Sequence, residues 1–440
     1  MLNDKKILVL GMAKSGYNVA KLLAGKNEII VTDKGDQREE LISELENLGI
    51  TFIKNETGED LLDESFDLVI KNPGIEPKQE CVQKAMSLNI PVVNEMEVAY
   101  HYLPENVKII GITGSNGKTT TTTILYNLLK LHGVDAILGG NIGYPLSEVV
   151  SKVKEKSVLV LEISDHQLYN FVDFKTDYSV LTNLCPTHLD FHGNYENYIN
   201  VKKKIFNHHS NLNKAFINYK NEDSLKITED IKSNKIYFNN DVNYYNKNGI
   251  YINNELVIKL DEIKVKGTHN YENILSALVV LKEFCFDKNI IKDYLNKFNG
   301  VEHRIEVVDS NKNIEFYNDS KATNPTSTLT ALKTMSKPTR LILGGMERSQ
   351  DYNELNNEMD KVISIYAIGE VTDRIYEYAL NNNINCVKCY KLVDAMEQIK
   401  KDVKDGEAVL FSPASASWDQ YDKFETRGEE FKNLVEKLFD

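Results

Sequence analysis

The residues best suited to chemistry in this sequence lie in one short run, GITGSNGKTT at positions 111–120. The run follows an apolar stretch, residues 107–110, and it precedes apolar residues at helical spacing over 124–129. In a strand, glycine loop and helix arranged in this order, backbone N–H groups and the helix N-terminus point at one spot and attract phosphate. The run therefore predicts a site for a nucleoside triphosphate, and a glycine-rich turn without a ligand is the alternative.

Three side chains at the end of this run carry the groups that such a site needs. Lys118 would offset the charge of the outer phosphates, Thr119 would offer a hydroxyl to Mg²⁺, and Thr120 would add an oxygen contact. The spacing departs from the strict Walker pattern, because Gly111 stands one residue too early relative to Lys118. The prediction therefore depends on the strand, loop and helix context.

Polar residues also follow the apolar strands predicted next to the loop. Glu162 comes after the run 157–161, His188 follows the run 180–183, and Asn141 lies in the loop GGNIG. In an open α/β sheet, ligands bind outside the carboxyl ends of the strands, so Glu162 is placed to hold Mg²⁺. A solvated glutamate at a strand end is the alternative, and a lone histidine is more often structural.

One lysine lies where a helix should be apolar. Over residues 196–208, at about 100° per residue, Val201 and Ile205 lie on one apolar arc, and Lys202 falls near its centre. A lysine on a buried face must extend its amine to solvent, pair with an anion or change its charge. Extension to solvent is the plainer interpretation, whereas a carbamylated amine would make Lys202 an anionic ligand for a second cation.

The N-terminal stretch predicts a parallel sheet with a nucleotide-shaped pocket. The first strand leads into a glycine turn at 11–16, and the second strand ends near Asp33, about 20 residues further on. The middle glycine of the dinucleotide pattern is missing, so this match alone is weak. Ser15, Asp33 and Lys34 could hold polar groups there, and the Asn-Pro-Gly turn at 72–74 permits close backbone approach.

The composition of the whole chain limits the classes of function. At 440 residues the chain has room for about three domains, and 42% hydrophobic residues suffice for buried cores. A net charge of -13 argues against nucleic acid as a partner, since phosphate backbones demand a positive face. No apolar stretch could span a membrane, so a cytoplasmic protein with reduced cysteines is expected, and Cys386 and Cys389 are expected to be structural.

From about residue 300 a rhythm of strands and helices restarts and predicts a further α/β domain. Polar turns follow its strands at 318–324, 344–348 and 412–419. Arg304 precedes these strands, where its side chain could reach bound phosphates. The Asn- and Lys-rich residues 213–263, by contrast, predict surface hairpins without a readable function.

Segments in all parts of the chain resemble the Mur ligases, ATP-dependent amide-forming enzymes of cell-wall precursor synthesis. They are GITGSNGKTT, GGNIG, LEIS, THLDFH, YINVKKKIF, GTHNYEN, EHR, YNDSKATNP and SPASASWDQYDKFETRG, in this order. The resemblance implies an α/β fold of three domains. These are a Rossmann-like N-terminal domain that binds a UDP-sugar (1–96), a central P-loop ATPase-type α/β domain (97–299) and a Rossmann-like C-terminal domain that binds an amino acid (300–440).

Within the family, the GMAKSG start and the SPASASWDQ to FETRG ending are most similar to the branch that joins D-glutamate to UDP-N-acetylmuramoyl-L-alanine. The resemblance then implies contacts residue by residue. The UDP-sugar would contact Ser15, Asp33, Lys34, Asn72, Gly74 and Asn141. ATP would contact Gly114, Ser115, Asn116, Gly117, Lys118, Thr119, Thr120, Asn273, Arg304 and Asp319. D-Glutamate would contact Lys321, Thr323, Arg348, Ser417 and Phe424.

The resemblance also implies two Mg²⁺ sites, which Mn²⁺ could fill as well. Thr119 and Glu162 would hold one ion, and His188 and a carbamylated Lys202 would hold the other. The implied catalytic residues are Lys118, His188, Lys202 and Lys321. His188 is also a candidate for the base that deprotonates the attacking amine.

The chain departs from the family at residues 164–167, which read Ser-Asp-His-Gln where Ser-Ser-Phe-Gln is common. Other functions stay open. A sibling ligase with another amino acid, or a folate polyglutamate ligase, would share the central loop, although the first glycine turn and the C-terminal ending argue against the folate enzyme. A nucleotide-gated switch would form no bond, and a dinucleotide dehydrogenase would bind nicotinamide at Asp33. A monomer is expected.

Overall fold

Parallel β-sheets flanked by α-helices make up the computed structural model of this chain, which describes residues 2–35, 37–55, 57–308, 313–348 and 350–439. The strands are β1 Lys6–Leu10, β2 Glu28–Asp33, β3 Thr51–Lys54, β4 Leu68–Lys71, β5 Val92–Val93, β6 Lys108–Thr113, β7 Ala136–Gly140, β8 Val158–Glu162, β9 Tyr178–Leu181, β10 Lys214–Asn218, β11 Asn234–Phe238, β12 Tyr244–Asn246, β13 Gly249–Ile252, β14 Glu255–Ile258, β15 Glu306–Val308, β16 Glu315–Asn318, β17 Thr339–Gly344, β18 Val362–Ile368, β19 Cys386–Tyr390 and β20 Ala408–Phe411. The α-helices are α1 Lys14–Leu23, α2 Glu39–Asn47, α3 Glu80–Ser87, α4 Glu95–Tyr100, α5 Lys118–Leu131, α6 Leu146–Val149, α7 Asp165–Tyr169, α8 Leu189–His192, α9 Tyr195–Lys203, α10 Glu222–Ile227, α11 Thr268–Leu281, α12 Lys288–Leu295, α13 Pro325–Thr334, α14 Thr372–Asn381, α15 Leu392–Asp402 and α16 Phe424–Phe439.

The first sheet has the strand order β3-β2-β1-β4-β5, and its strands are all parallel. Its central strand forms because the run KILVL is apolar on both faces: Ile7 and Val9 pack into one core and Leu8 packs into the other. This order is that of a Rossmann fold, in which the direction of winding reverses between β1 and β4. The Rossmann-like N-terminal fold predicted from the sequence is therefore confirmed.

The second sheet has the order β11-β10-β9-β6-β8-β7 and is also parallel throughout. Its winding reverses at β6, which leaves a crevice beyond the carboxyl end of that strand. The surface hairpins predicted over 213–263 are wrong for β10 and β11, which extend this sheet because Ala215, Phe216 and Ile217 are fully buried. Only β12, β13 and β14 form antiparallel pairs in that segment.

The third large sheet has the order β15-β16-β20-β17-β18-β19. It is parallel except for β15, an additional strand that the sequence did not predict and that runs antiparallel to β16. The strands predicted from residue 300 onward are all present, with Leu341 and Ile342 packed into cores on opposite faces. The predicted α/β class is confirmed in each of these sheets.

Contacts between residues divide the chain into two compact units, one ending at Asn296 and the other beginning at Lys297. The first unit contains two large sheets and the small antiparallel sheet, and the second contains the third large sheet. The division into three domains at 96/97 and 299/300 stays a prediction. Within the described ranges, no helix combines the length and the apolar character needed to cross a membrane.

Candidate nucleotide and metal site

The glycine-rich run 111–120 comprises the end of β6, a tight loop at 114–117 and the first turn of α5. Gly114 and Gly117 have φ angles of 144° and 80°, in the region that favours glycine. A β-carbon at Gly114 would lie 2.0 Å from Thr182 Oγ1, and one at Gly117 would lie 2.1 Å from Asn273 Oδ1. Neighbouring side chains therefore leave room only for glycine at both positions.

Asn183, which follows β9, anchors the loop from the neighbouring strand. Its backbone oxygen accepts a hydrogen bond from Ser115 N at 2.8 Å, and its Oδ1 accepts one from Asn116 N at 3.0 Å. The Ser115 hydroxyl also lies 2.8 Å from the Tyr198 hydroxyl. Sequence analysis gave Asn183 no role, although an amide at the end of an apolar strand was the available signal.

Lys118 lies across this loop. Its Nζ donates hydrogen bonds to the backbone oxygens of Gly114 and Ser115, both at 2.9 Å. Thr119 is buried and Thr120 is half-buried in the first turn of α5, which contains no acidic residue. A positive helix terminus and a lysine, without a carboxylate in the turn, suit an anion such as the predicted triphosphate.

Asn273 of α11 faces the loop instead of capping its own helix. The N-cap residue of α11 is Gly267, and no side chain forms a capping bond there. Asn270 donates to Lys266 O at 2.8 Å, while the Asn273 amide lies beside Gly117. Neither asparagine side chain therefore caps α11.

Glu162, the last residue of β8, is buried rather than solvated. Only 1% of its surface is exposed, and Asn141 Nδ2 donates to its Oε1 at 2.7 Å. Its other oxygen, Oε2, is buried without a hydrogen-bond partner among the described residues. Because a buried carboxylate oxygen without a partner is costly, Glu162 fits a cation at this strand end.

Lys202 is fully buried, so extension of its amine to solvent is excluded. Its Nζ donates to Thr113 Oγ1 at 3.1 Å and lies 3.3 Å from Asp165 Oδ1. Thr113 ends β6 directly before the glycine loop, so Lys202 contacts the base of that loop. Burial, together with the nearby charge of Lys118, lowers the pKa of Lys202 to about 7, and the Asp165 carboxylate acts in the opposite direction.

Three histidines surround the same Asp165 carboxylate. Its Oδ2 lies 2.9 Å from His188 Nδ1, 2.9 Å from His192 Nε2 and 3.3 Å from His166 Nδ1. Burial by itself would raise the pKa of Asp165. The hydrogen bonds from His188 and His192, together with the charge of Lys202, nevertheless hold that pKa well below its usual range.

His166 and His188 differ in exposure. The His166 side chain is 25% exposed and that of His188 is 47% exposed. Burial lowers the pKa of His166 to about 4, so its ring is neutral near pH 7 and keeps a lone pair for a cation. Sequence analysis predicted His188 as a metal ligand; it noted the departure at Asp165 and His166 but gave those residues no role.

The residues predicted to bind a UDP-sugar lie at the point where the winding of the first sheet reverses. Asp33 accepts hydrogen bonds from Met12 N at 2.7 Å and from Gly35 N at 2.9 Å, and Lys34 is exposed beside it. Asn72 Nδ2 donates to Ser15 Oγ at 3.4 Å. Asn72 Oδ1 also accepts from Gly74 N, at 3.1 Å.

Asn141, predicted to bind the same sugar nucleotide, lies on the loop that follows β7. Lys14, at the start of α1, donates from Nζ to Gly143 O at 3.0 Å and lies 4.3 Å from the Tyr144 ring centroid. The lysine thus joins the first glycine turn to the loop of Asn141. Sequence analysis missed Lys14, because a lysine in a glycine turn carries no signal of its distant partner.

Asp319, predicted to help bind ATP, lies in the second unit. Ser412 Oγ donates to its Oδ2 at 2.7 Å, and Ile305 N donates to its Oδ1 at 3.2 Å. Burial raises the pKa of Asp319 to about 7, against the positive charges of Arg304 and Lys321.

The residues predicted to bind D-glutamate also lie in the second unit. Lys321 Nζ lies 6.0 Å from the centroid of Phe424, Thr323 is exposed nearby in the chain, and Ser417 is buried. The Arg348 guanidinium stacks 4.6 Å from the ring centroid of Trp418.

A buried arginine that the sequence analysis missed links two of these turns. Arg427 donates to Ser320 O at 2.9 Å and to Ser415 O at 3.0 Å. It therefore fixes the turn that carries Lys321 to the turn that carries Ser417. Arg427 lies in the segment FETRG, where the sequence gives no sign of these distant partners.

The fold and the site together define an α/β protein with a glycine-rich loop, suited to a nucleotide, at the crevice of its central sheet. Comparison with known proteins identifies the group. A family model described as the Mur ligase middle domain matches residues 112–281, and one described as the Mur ligase, glutamate ligase domain, matches residues 303–415. The chain belongs to the Mur ligase family.

Curated relatives match nearly the full length of the chain. The UDP-N-acetylmuramoylalanine--D-glutamate ligase of Macrococcus caseolyticus is 36% identical over 440 residues, covering 99% of this chain and 98% of the relative. The enzyme of the same name from Streptococcus thermophilus is 37% identical over 444 residues, with the same coverage.

Solved structures agree on the fold. UDP-N-acetylmuramate-alanine ligase MurC from Thermotoga maritima superimposes with a TM-score of 0.59 at 17% identity, covering 98% of each chain. MurF ligase from Thermotoga maritima, solved in complex with ADP, gives a TM-score of 0.55 at 19% identity, covering 99% of this chain and 96% of that one.

Proposed function

We propose that this chain is an ATP-dependent ligase that joins D-glutamate to UDP-N-acetylmuramoyl-L-alanine, releasing ADP and phosphate, in peptidoglycan precursor synthesis. The observation that carries the proposal is the glycine loop with Lys118 across it, in one unit with the buried Glu162 and Lys202. The names of relatives that match 99% of the chain support the choice of substrates.

The first step activates the acid, because a carboxylate is a poor acylating agent. A carboxylate oxygen of the UDP-linked alanine attacks the γ-phosphorus of ATP. The bond between that phosphorus and the β–γ bridging oxygen breaks, and ADP leaves with the electron pair. Lys118 lowers the barrier by offsetting negative charge on the phosphoryl group, and the product is an acyl phosphate.

The second step forms the amide bond. The amine nitrogen of D-glutamate attacks the acyl carbon, and the bond from that carbon to the phosphate oxygen breaks, so that phosphate leaves. The amine must first lose a proton, and the half-exposed His188 is a candidate base when it does not serve as a metal ligand. In this scheme Lys321, Thr323, Arg348, Ser417 and Phe424 receive D-glutamate.

The residues present fit a divalent cation beside the loop. Glu162 has a buried oxygen without a partner among the described residues, and the Thr119 hydroxyl belongs to the first turn of α5. Mg²⁺ bound there would supply positive charge to the phosphate oxygens. Asn273, Arg304 and Asp319 are the further ATP contacts that we propose. Ser15, Asp33, Lys34, Asn72, Gly74 and Asn141 make up the proposed UDP-sugar site.

Carbamylation of Lys202 is part of this proposal. Its support is the full burial of the amine and its place at the base of the loop, where an added carboxylate would become an anionic oxygen ligand. We expect Lys202→Ala to abolish ligation, and added bicarbonate or a short carboxylate to restore part of it. A fully active Lys202→Ala variant would contradict the carbamate.

Release of phosphate from ATP tests the reaction. We expect phosphate release to require both UDP-N-acetylmuramoyl-L-alanine and D-glutamate, and to fall when L-glutamate, D-alanine or diaminopimelate replaces D-glutamate. Release that ignores both substrates would favour a nucleotide-gated switch, and preference for another amino acid would indicate a sibling ligase. Cell fractionation and light scattering would test the proposed cytoplasmic location and monomeric state.

A further inference from the structure

We propose that Asp165, His166 and His188 form a divalent-cation site whose anionic ligand is encoded in the chain, so that ion binding there does not require carbamylation of Lys202. The inference rests on the proposed function only for the role of the ion beside ATP. The residues that carry it are Asp165 and His166, at the start of α7, together with one predicted ligand, His188.

The spacing of the three side chains matches the spacing of neighbouring ligands around one ion. Asp165 Oδ2 lies 2.9 Å from His188 Nδ1 and 3.3 Å from His166 Nδ1. Two ligands at right angles on an ion with bonds of about 2.1 Å are themselves about 3.0 Å apart. One ligand atom from each residue lies within 4.8 Å of those of the other two, so an ion could bind with little rearrangement.

Local structure holds the carboxylate and the histidine in place. Asp165 is the first residue of α7, and Ser164 caps that helix in a reciprocal capping box with Gln167. His188 has a left-handed backbone with φ of 52° and precedes α8. A site on fixed helix starts loses little conformational entropy when it binds an ion.

The two oxygens of Asp165 have different neighbours. Oδ1 lies 3.3 Å from Lys202 Nζ, while Oδ2 faces the histidines. His192 supports Oδ2 from the buried side, and its own Nδ1 has no hydrogen-bond partner within the described ranges. The Asp165 carboxylate therefore supplies the anionic oxygen ligand that a carbamate on Lys202 would otherwise supply.

In two other clusters among the described residues, the carboxylates are held by groups that cannot themselves bind a cation. In one, Glu97 already accepts hydrogen bonds from three backbone N–H groups, those of Val172, Asp173 and Phe174, at 2.8 to 3.1 Å. In the other, which contains His303, both glutamates pair with Lys432. Their carboxylates are committed to the fold, which makes the Glu97 cluster a suitable control.

The donor set also indicates which ions bind. Two imidazole nitrogens and one carboxylate favour transition metals, whereas Mg²⁺ prefers oxygen ligands. We therefore expect this site to bind Mn²⁺ at least about tenfold more tightly than Mg²⁺. Glu162 and Thr119, which offer only oxygen, are expected to discriminate less between the two ions.

Mn²⁺ binding to the full chain without nucleotide tests the proposal. Electron paramagnetic resonance of free Mn²⁺ would be recorded in buffer stripped of CO₂ and again with ¹³C-bicarbonate. NMR of the ¹³C label would show whether a carbamate has formed on Lys202. We expect one tightly bound Mn²⁺ per chain already in the buffer stripped of CO₂. Asp165→Asn should weaken binding by about tenfold or more, and Asp173→Asn, in the Glu97 cluster, should leave it unchanged.

Two results would overturn the proposal: Mn²⁺ binding that appears only with bicarbonate, and Asp165→Asn that binds as tightly as the unaltered chain. Should Asp165→Asn fail to fold, His166→Phe decides, since that side chain is partly exposed and its loss should weaken Mn²⁺ binding severalfold. Mn²⁺ binding is measured without substrates, so its result does not depend on ligase activity. A negative result in either experiment therefore does not decide the other.

Discussion

The first unit contains two strand ends built to the same local plan, and they differ in what surrounds the glycines. In the first sheet, the turn after β1 is held by a carboxylate, since Asp33 accepts hydrogen bonds from Met12 N. In the central sheet, the loop after β6 has no carboxylate in its turn, and Lys118 lies across it. Neighbouring side chains, more than the spacing of glycines, therefore decide which anion or sugar each turn can accept.

A buried lysine near each strand end repeats this contrast. Lys71 ends β4 and donates to the backbone oxygens of Ile75 at 2.8 Å and Pro73 at 3.3 Å. Lys202 instead faces the Asp165 carboxylate. Among the described residues, the hydrogen-bond acceptors of the lysine in the first sheet are thus neutral carbonyl oxygens, whereas the lysine of the central sheet faces an anion that could bind a metal ion.

The largest effect expected from this contrast is at Gly117. Gly117→Ala adds a methyl group to a left-handed residue and drives it into Asn273, so ATP affinity should fall by about 4 kcal/mol, near a thousandfold. Calorimetric titration with an ATP analogue measures the loss. Gly133→Ala is the matched control, because Gly133 has the same φ of 80° and open space around it.

Gly133→Ala should cost about 1 kcal/mol of stability and leave ATP affinity unchanged. Equal losses of ATP affinity in the two variants would show that backbone strain alone matters, and that the closeness of Asn273 does not.

The next effect concerns the pH dependence of stability. Burial lowers the pKa of Lys71 from 10.5 to about 8, so between these values the unfolded chain binds the proton and the folded chain does not. The free energy of unfolding should therefore rise with pH in this window. Between pH 8 and pH 10.5, the free energy of unfolding of the unaltered chain should rise by about 2 to 3 kcal/mol more than that of Lys71→Met. Denaturant titration measures both free energies.

Lys26→Met is the control for this measurement, because Lys26 is exposed and its solvation changes little on unfolding. A difference in the free energy of unfolding between the unaltered chain and Lys71→Met that does not change with pH would contradict the lowered pKa of a buried Lys71.

Asp33→Asn should have a moderate effect confined to the first turn. The amide is a weaker acceptor for Met12 N, so affinity for UDP-N-acetylmuramoyl-L-alanine should fall about tenfold while ATP affinity stays the same. Asp67→Asn removes a carboxylate that also accepts a backbone N–H, that of Lys6, at the other end of the same sheet. A loss of ATP affinity in Asp33→Asn would contradict the prediction that the two turns bind different ligands independently.

The smallest effect is expected at Lys14, whose side chain is 55% exposed. Lys14→Ala removes the hydrogen bond to Gly143 and should raise KM for the UDP-linked substrate about threefold without changing kcat, since exposed contacts contribute little. Lys152→Ala is the control, because Lys152 approaches the Tyr144 ring at 5.4 Å from its centroid. Equal changes in both variants would mean that Lys14 acts only through that ring.

Much of the fold could be predicted because its strands are apolar runs between turn residues. The run at 6–10 and the strands after residue 300 follow this rule. β10 and β11 do not, because their flanks are rich in Asn and Lys. Burial of Phe216 in β10 and Phe238 in β11 distinguishes them from surface hairpins. β15 is a three-residue edge strand, too short for its alternation to be recognised.

The site was predictable where one motif contains all its parts, as in the loop 111–120. It was not predictable where residues distant in sequence meet. The departure at Asp165 was visible in the sequence, but its contacts with His192 and Lys202 depend on how α7, α8 and α9 pack. The apolar arc correctly placed Lys202 inside, yet it could not name the partner.

The close approach of Asn273 to Gly117 has a consequence for drug resistance. A compound that contacts Gly117 would contact a residue that no other amino acid can replace without a clash, because any side chain adds a β-carbon too close to Asn273. Bacteria escape many inhibitors by exchanging one contact residue for a bulkier one. At Gly117 that escape would damage the enzyme more than the inhibitor, so resistance would have to arise elsewhere.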